Sequence, residues 1–164
     1  FARATELLLR AGTSPPVHGR PMHAALRALQ PPDDVAERCF HAASLLREHR
    51  GDGHIAALVV EGIGGLEAHV LCALGQGLPA HRFGRIHHLP RPQIDALVDG
   101  LRDRGLVAED GTFTDEGRAL HQRIEARTDA LGAPPYDALS PEELDELIAA
   151  LEQMAPALLA DQAW

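Results

Sequence analysis

The chain has 164 residues, of which 45% are apolar and only 4% aromatic. That is long enough for a real core, and the wealth of Ala and Leu favours an α-rich fold. A formal net charge of −9 argues against a surface that is basic throughout, as a dedicated nucleic-acid binder would show, and the longest purely apolar run, 55–60, is far too short to span a bilayer.

The acidity is uneven. Residues 1–78 and 79–118 each carry a net −1, and residues 119–164 carry −7. All fifteen basic residues are Arg, which reads as a GC-rich coding bias. The only cysteines, Cys39 and Cys72, stand 33 residues apart with no signal peptide before them. That pattern predicts reduced thiols and a cytoplasmic protein. The chain begins at Phe1 rather than Met, so its first residues read as the end of a longer N-terminal region.

In chain order, residues 1–11 form a first helix with Leu7, Leu8 and Leu9 available for packing. GTSPPVHGRP breaks it, and two adjacent prolines with two glycines make this the best candidate for a domain boundary. PMHAALRAL is a short helix. Asp33 or Asp34 then caps a helix from Val35 to Arg50, with Val35, Cys39, Ala42, Leu45 and Leu46 on one face. Gly51-Asp52-Gly53 predicts a sharp turn, because two glycines cost a continuing helix about 2 kcal/mol. A further helix runs from His54 to Glu61, and Gly62, Gly64 and Gly65 separate it from a helix over Leu66–Leu74.

The most informative stretch is Gly65–Arg118. It reads GLEAHVLCAL, LPAHRFGRIHHL, PRPQIDALVDGLRDRGLV, AEDGTFT and DEGRAL. Its order is helix, helix, turn, helix, hairpin, helix. Ile94, Leu97, Val98 and Leu101 recur at i, i+3, i+4 and i+7, one apolar stripe on a helix. Gly105 ends that helix as a C′ glycine. LV–AEDG–TF predicts two short strands around an Asp-Gly turn. Thr114 caps a helix that runs to Leu131, with Asp115 and Glu116 in its first turn. GAPPYDAL is a loop. Ser140 and Glu143 form a capping box with Pro141 at the first helical position. Leu144, Leu147, Ile148, Leu151 and Met154 make the last helix amphipathic. The predicted fold class is mainly α: a winged helix-turn-helix with a short two-stranded wing and flanking long helices.

GLEAHVLCAL, RPQIDALVDGLRDRGLV, the short wing, T-D-E-G-R-A-L and SPEELDELIAALEQM together resemble the MarR family of bacterial regulators, over about 65–155. The whole chain also resembles the C-terminal part of an uncharacterised family of actinobacterial helix-turn-helix proteins. The resemblance implies a winged-helix domain over 31–164, preceded by an N-terminal helical appendage and linker over 1–30. It further implies a homodimer made by the terminal helices and regulation by a small-molecule ligand; the short apolar runs predict no membrane partner.

In such proteins the third helix enters the major groove and the wing touches the backbone. The DNA-binding candidates are Arg82, Arg85, Arg91, Gln93 and Arg102, with Arg91 and Gln93 at the start of the reading helix. Against duplex DNA stand Asp95, Asp99 and Asp103, an acidic line at i, i+4 and i+8, and Glu109-Asp110 at the wing tip, where the family often carries Arg. Arg91 with Asp95 and Asp99 with Arg102 are also spaced to pair along the helix.

Ten histidines are many for this length. His41, His49 and His54 lie beside Glu48, Arg50 and Asp52 around the Gly-Asp-Gly turn, and His69 follows on the next helix. These seven residues are the candidate ligand-binding set, as a polar pocket for a small molecule. The spacing is not a metal signature, so no metal and no cofactor is assigned. There is no P-loop, GxSxG, HExxH or CxxC, and no catalytic residue is nominated. The leading reading is a ligand-responsive transcriptional regulator that contacts DNA weakly. The alternative keeps the scaffold without DNA, and binds or acts on a small molecule or metal through 41–54.

Overall fold

The computed structural model describes residues 1–160. Among them are seven α-helices: α1 (Ala2–Thr13), α2 (Pro21–Arg27), α3 (Val35–Val60), α4 (Gly65–Gly75), α5 (Arg91–Asp103), α6 (Asp115–Gly132) and α7 (Pro141–Ala160), with 3-10 turns at Ala80–Arg82 and Pro134–Ala138. The mainly-α class holds. The two-stranded wing does not form: among the described residues there is no strand, only an isolated antiparallel bridge between Val107 and Phe113.

The reason is that the α5–α6 connection is clamped at both ends. Gly105 turns at φ +71°, and Leu106 N–H donates to the Leu101 carbonyl at 2.9 Å, closing α5 in a Schellman arrangement. At the other end Thr114 Oγ1 accepts the Gly117 N–H at 3.0 Å and donates to the Gly105 carbonyl at 2.7 Å. Between them Asp110 Oδ1 accepts the Thr112 N–H at 2.9 Å and the Thr112 hydroxyl at 2.8 Å, a side-chain turn. Too few residues remain on either side to build a ladder.

The chain divides into two compact units, Phe1–Gly53 with Asp129–Trp164, and His54–Thr128. In the first unit, α1 buries Ala4, Leu7, Leu8 and Ala11, a single helical stripe, against Cys39 and Ala42 of α3 and Leu139 and Leu147. Burying each leucine is worth about 2 kcal/mol. Asp34 Oδ1 caps α3 through the N–H groups of Ala36 and Glu37 at 2.9 and 3.0 Å. The capping box of α7 is complete: Ser140 N–H donates to Glu143 Oε2 at 3.0 Å and Glu143 N–H to Ser140 Oγ at 3.2 Å.

No turn forms at Gly51-Asp52-Gly53; α3 continues through it. Gly53 is there for close approach. A Cβ on it would stand 2.5 Å from a guanidinium nitrogen of Arg20 and 3.0 Å from Leu131 Cβ. Packing at that point outweighs the helix cost of glycine, which is about 1 kcal/mol. Asp52 does not cap the following residues. Its carboxylate reaches the start of α2, accepting the His23 N–H at 2.9 Å.

In the second unit, Ala57, Leu58 and Ile63 meet Val70 and Leu71 of α4, Ile94 and Leu101 of α5, and Leu120 and Ile124 of α6. The helix expected over LPAHRFGRIHHL is instead the 3-10 turn at Ala80–Arg82 followed by successive turns. Gly77 at φ +70°, Pro79 and Pro90 punctuate it, and Ile86 alone reaches the fully buried core from its second half. Gly117 explains the T-D-E-G-R motif, since a Cβ there would lie 1.9 Å from the Leu106 carbonyl oxygen. No single helix among the described residues is long and apolar enough to cross a membrane.

Candidate functional site

The helix-turn-helix of the second unit is α4, the turns of 79–90 and α5. Ile94 and Leu101 are buried, and Leu97 and Val98 partly so, against this unit's core. The opposite side of α5 therefore exposes Gln93, Asp95, Asp99 and Asp103. The spacing expected for intrahelical pairs is used: Arg91 Nε donates to Asp95 Oδ1 at 2.9 Å, and Arg102 pairs with Asp99. Arg102 also stands 3.8 Å from Glu109 of the loop after α5.

The other arginines of this unit divide sharply. Arg104 pairs with Glu67 at 3.1 Å, and Arg123 and Arg127 both reach Glu61. Arg82, Arg85 and Arg118 are exposed, and among the described residues their guanidinium groups have no hydrogen-bonded or ion-pair partner. Arg91, Arg102 and Arg118 line a groove of about 740 Å³ between α5 and the loop over 109–113, together with His81, Asp95 and Asp110. Its charge is mixed. Thr112 holds the Asp110 carboxyl below its ordinary range by hydrogen bonding, so Asp110 keeps a negative charge at the groove's rim.

Of the seven histidine-segment residues, His54 and His69 belong to the second unit and the other five to the first. In the second unit, His54 Nδ1 lies 3.0 Å from Thr128 Oγ1, and His69 stacks on Phe83 with ring centroids 6.0 Å apart. Burial, then the nearby positive charge of Arg85 and then His54, push the His69 pKa down. In the first unit, His41 lines a cavity with Leu26, Pro32 and Phe40, whereas Arg50 pairs with Asp129 at 3.1 Å and lines another. Glu48 pairs with Arg47.

His49 and Asp52 do come together, with two residues from outside the candidate set. His23 and His49 are both buried, with rings edge to face at 5.1 Å. His23 Nδ1 lies 3.1 Å from the Leu45 carbonyl, which requires a proton on Nδ1. Arg20 donates to the His49 carbonyl and, at 2.8 Å, to the Leu131 carbonyl. Burial first, then Arg20 and His23, lower the His49 pKa to about 4, with Asp52 opposing. The cluster ties α2 to α3. Among the described residues no three His, Cys, Asp or Glu side chains are arranged to hold a metal ion.

With this geometry in view, the model of a helix-turn-helix family matches residues 1–164. The chain belongs to that family. No curated protein and no solved structure matches it. For a helix-turn-helix family member the residues to be weighed are those around α5, and sequence reasoning missed one of them. Arg118 was visible only as a letter of the T-D-E-G-R motif, and its lack of a carboxylate partner among the described residues is a tertiary fact. His23 and Arg20 were likewise hidden inside a short helix and its preceding loop.

Proposed function

We propose that this helix-turn-helix protein is a DNA-binding transcriptional regulator of modest intrinsic affinity. The observation that carries the reading is the set of three uncommitted arginines, Arg82, Arg85 and Arg118, in the unit that holds α5. Cations already paired with carboxylates release few counterions from DNA, whereas free guanidinium groups neutralise phosphates at no internal cost. Arg82 and Arg85 precede α5 and Arg118 follows the loop, so phosphate contacts bracket the reading helix. Gln93 and Arg91 at its N-terminal end then meet base edges. Asp95, Asp99 and Asp103 hold the affinity down.

The finer features belong to the same reading. A MarR-like mode of action, with homodimerisation through the terminal helices, is supported by exposed Phe1 just before α1 and Ile148 on α7 (59% and 46% exposed). The test is binding of the purified chain to random-sequence duplex at low salt. Binding that weakens steeply as salt rises supports the reading; no binding at any salt below physiological ends it.

A further inference from the structure

The first unit contains a second cavity, of about 560 Å³, that the DNA reading does not use. Five elements converge on it. Its floor is Leu8 of α1, Leu46 of α3, and Leu147 and Leu151 of α7; its rim is Arg47, Arg50 and Tyr136 with Asp129. Leu8 and Leu147 are buried, Leu46 and Leu151 are half-buried, and Arg47 and Arg50 are exposed. A largely apolar cleft of this size with a few polar groups at its edge is the form of a small-molecule site.

The rim specifies the polar end of the ligand. Arg47, Arg50 and Asp129 line it together, and the Tyr136 hydroxyl has no hydrogen-bond partner among the described residues. Both arginines are paired, Arg47 with Glu48 and Arg50 with Asp129, but Glu48 does not line the cavity. A guanidinium carries five N–H donors, and the Arg47 side chain is 75% exposed, so Arg47 has donors left for a ligand anion while it stays paired with Glu48. Arginine matches a carboxylate with two parallel donors. A cationic ligand would find one carboxylate at the rim, Asp129, and that is already paired with Arg50.

We propose that this cavity binds a small amphipathic carboxylate, with its apolar tail among Leu8, Leu46, Leu147 and Leu151 and its carboxylate between Arg47, Arg50 and the Tyr136 hydroxyl. The inference supplies a ligand class for the regulator reading but does not depend on DNA binding, because its test contains no DNA.

The test is titration calorimetry of the full chain with octanoate, octylamine and octanol, which share a tail and differ in head charge. Octanoate binds, and octylamine binds at least about tenfold more weakly. Arg47→Gln weakens octanoate about fivefold and leaves octanol unchanged. Ala43→Trp, which places bulk at the cavity wall, abolishes binding of both. Circular dichroism checks that each variant is folded; Arg47 is itself exposed and is paired with its sequence neighbour Glu48. Equal binding of octanoate and octylamine, no octanoate binding, or octanoate binding untouched by Arg47→Gln overturns the proposal.

Discussion

The Asp52 carboxylate accepts the backbone N–H of His23 at 2.9 Å across 29 residues of sequence. A buried carboxylate in mid-helix thereby becomes the N-terminal cap of another helix. α2 has only seven residues and no side-chain cap of its own, so it cannot persist in isolation. Asp52→Ala leaves the His23 N–H buried and unpaired, which costs about 1–3 kcal/mol. The expected outcome is a lower urea midpoint and faster hydrogen exchange at the His23 amide, while α5 amides keep their protection.

Beside that contact, His49 makes stability depend on pH. Its folded pKa, about 4, lies below the ordinary value of 6.5. Between those values the unfolded chain binds the proton more readily than the folded one. The contribution is therefore fully present above pH 6.5 and is lost as pH falls toward 4. Urea denaturation at intervals from pH 7 to pH 4 should show stability falling with acid, and His49→Gln should flatten that decline. An unchanged slope in the variant would assign the acid sensitivity to other groups.

Gly117 against the Leu106 carbonyl tests the packing that replaces the wing. With 1.9 Å between an added methyl carbon and a backbone oxygen, Gly117→Ala forces α6 away from the loop. We expect destabilisation by about 1–3 kcal/mol or more, read as a fall in thermal midpoint, although alanine is the better helix former. Gly65→Ala, with open space around it, is the control and should be nearly neutral.

For DNA, the free and paired arginines should behave differently. Arg82→Ala, Arg85→Ala and Arg118→Ala should each weaken binding to random duplex and lower the salt-dependence slope by about 0.9 for every phosphate left without its cation. Arg104→Ala removes a cation already committed to Glu67 and should change the slope little. Filter binding over a range of salt concentrations reads both.

Asp95→Asn should act in the opposite direction. It releases Arg91 from its 2.9 Å hydrogen bond and removes a negative charge from the exposed side of α5. Affinity for random duplex is expected to rise by up to about fivefold, the scale of an exposed pair. A fall in affinity would mean that the Arg91–Asp95 pair itself orients the contact.

Much of this protein follows from interactions within four residues of chain, and those are legible in the letters. The stripe of Ile94, Leu97, Val98 and Leu101 buries one side of α5 because helical periodicity alone puts those residues together. Asp34, Thr114 and Ser140 cap their helices because a short polar side chain reaches an N–H two or three residues on. Arg91 and Asp95 pair for the same reason. Other outcomes needed partners far away in sequence. Gly51-Asp52-Gly53 stays helical because Gly53 admits the Arg20 side chain and Leu131, a gain that local propensity does not contain. The hairpin reduces to one bridge because caps at Gly105 and Thr114 take the residues that strands would need. Which arginines remain free for phosphate is likewise a matter of which carboxylates the fold brings near: Glu61 and Glu67 engage three, and Arg82, Arg85 and Arg118 are left outside their reach. The helices are properties of short segments; the choice among their charges, and the cavity whose floor is built from α1, α3 and α7, are properties of the packed chain.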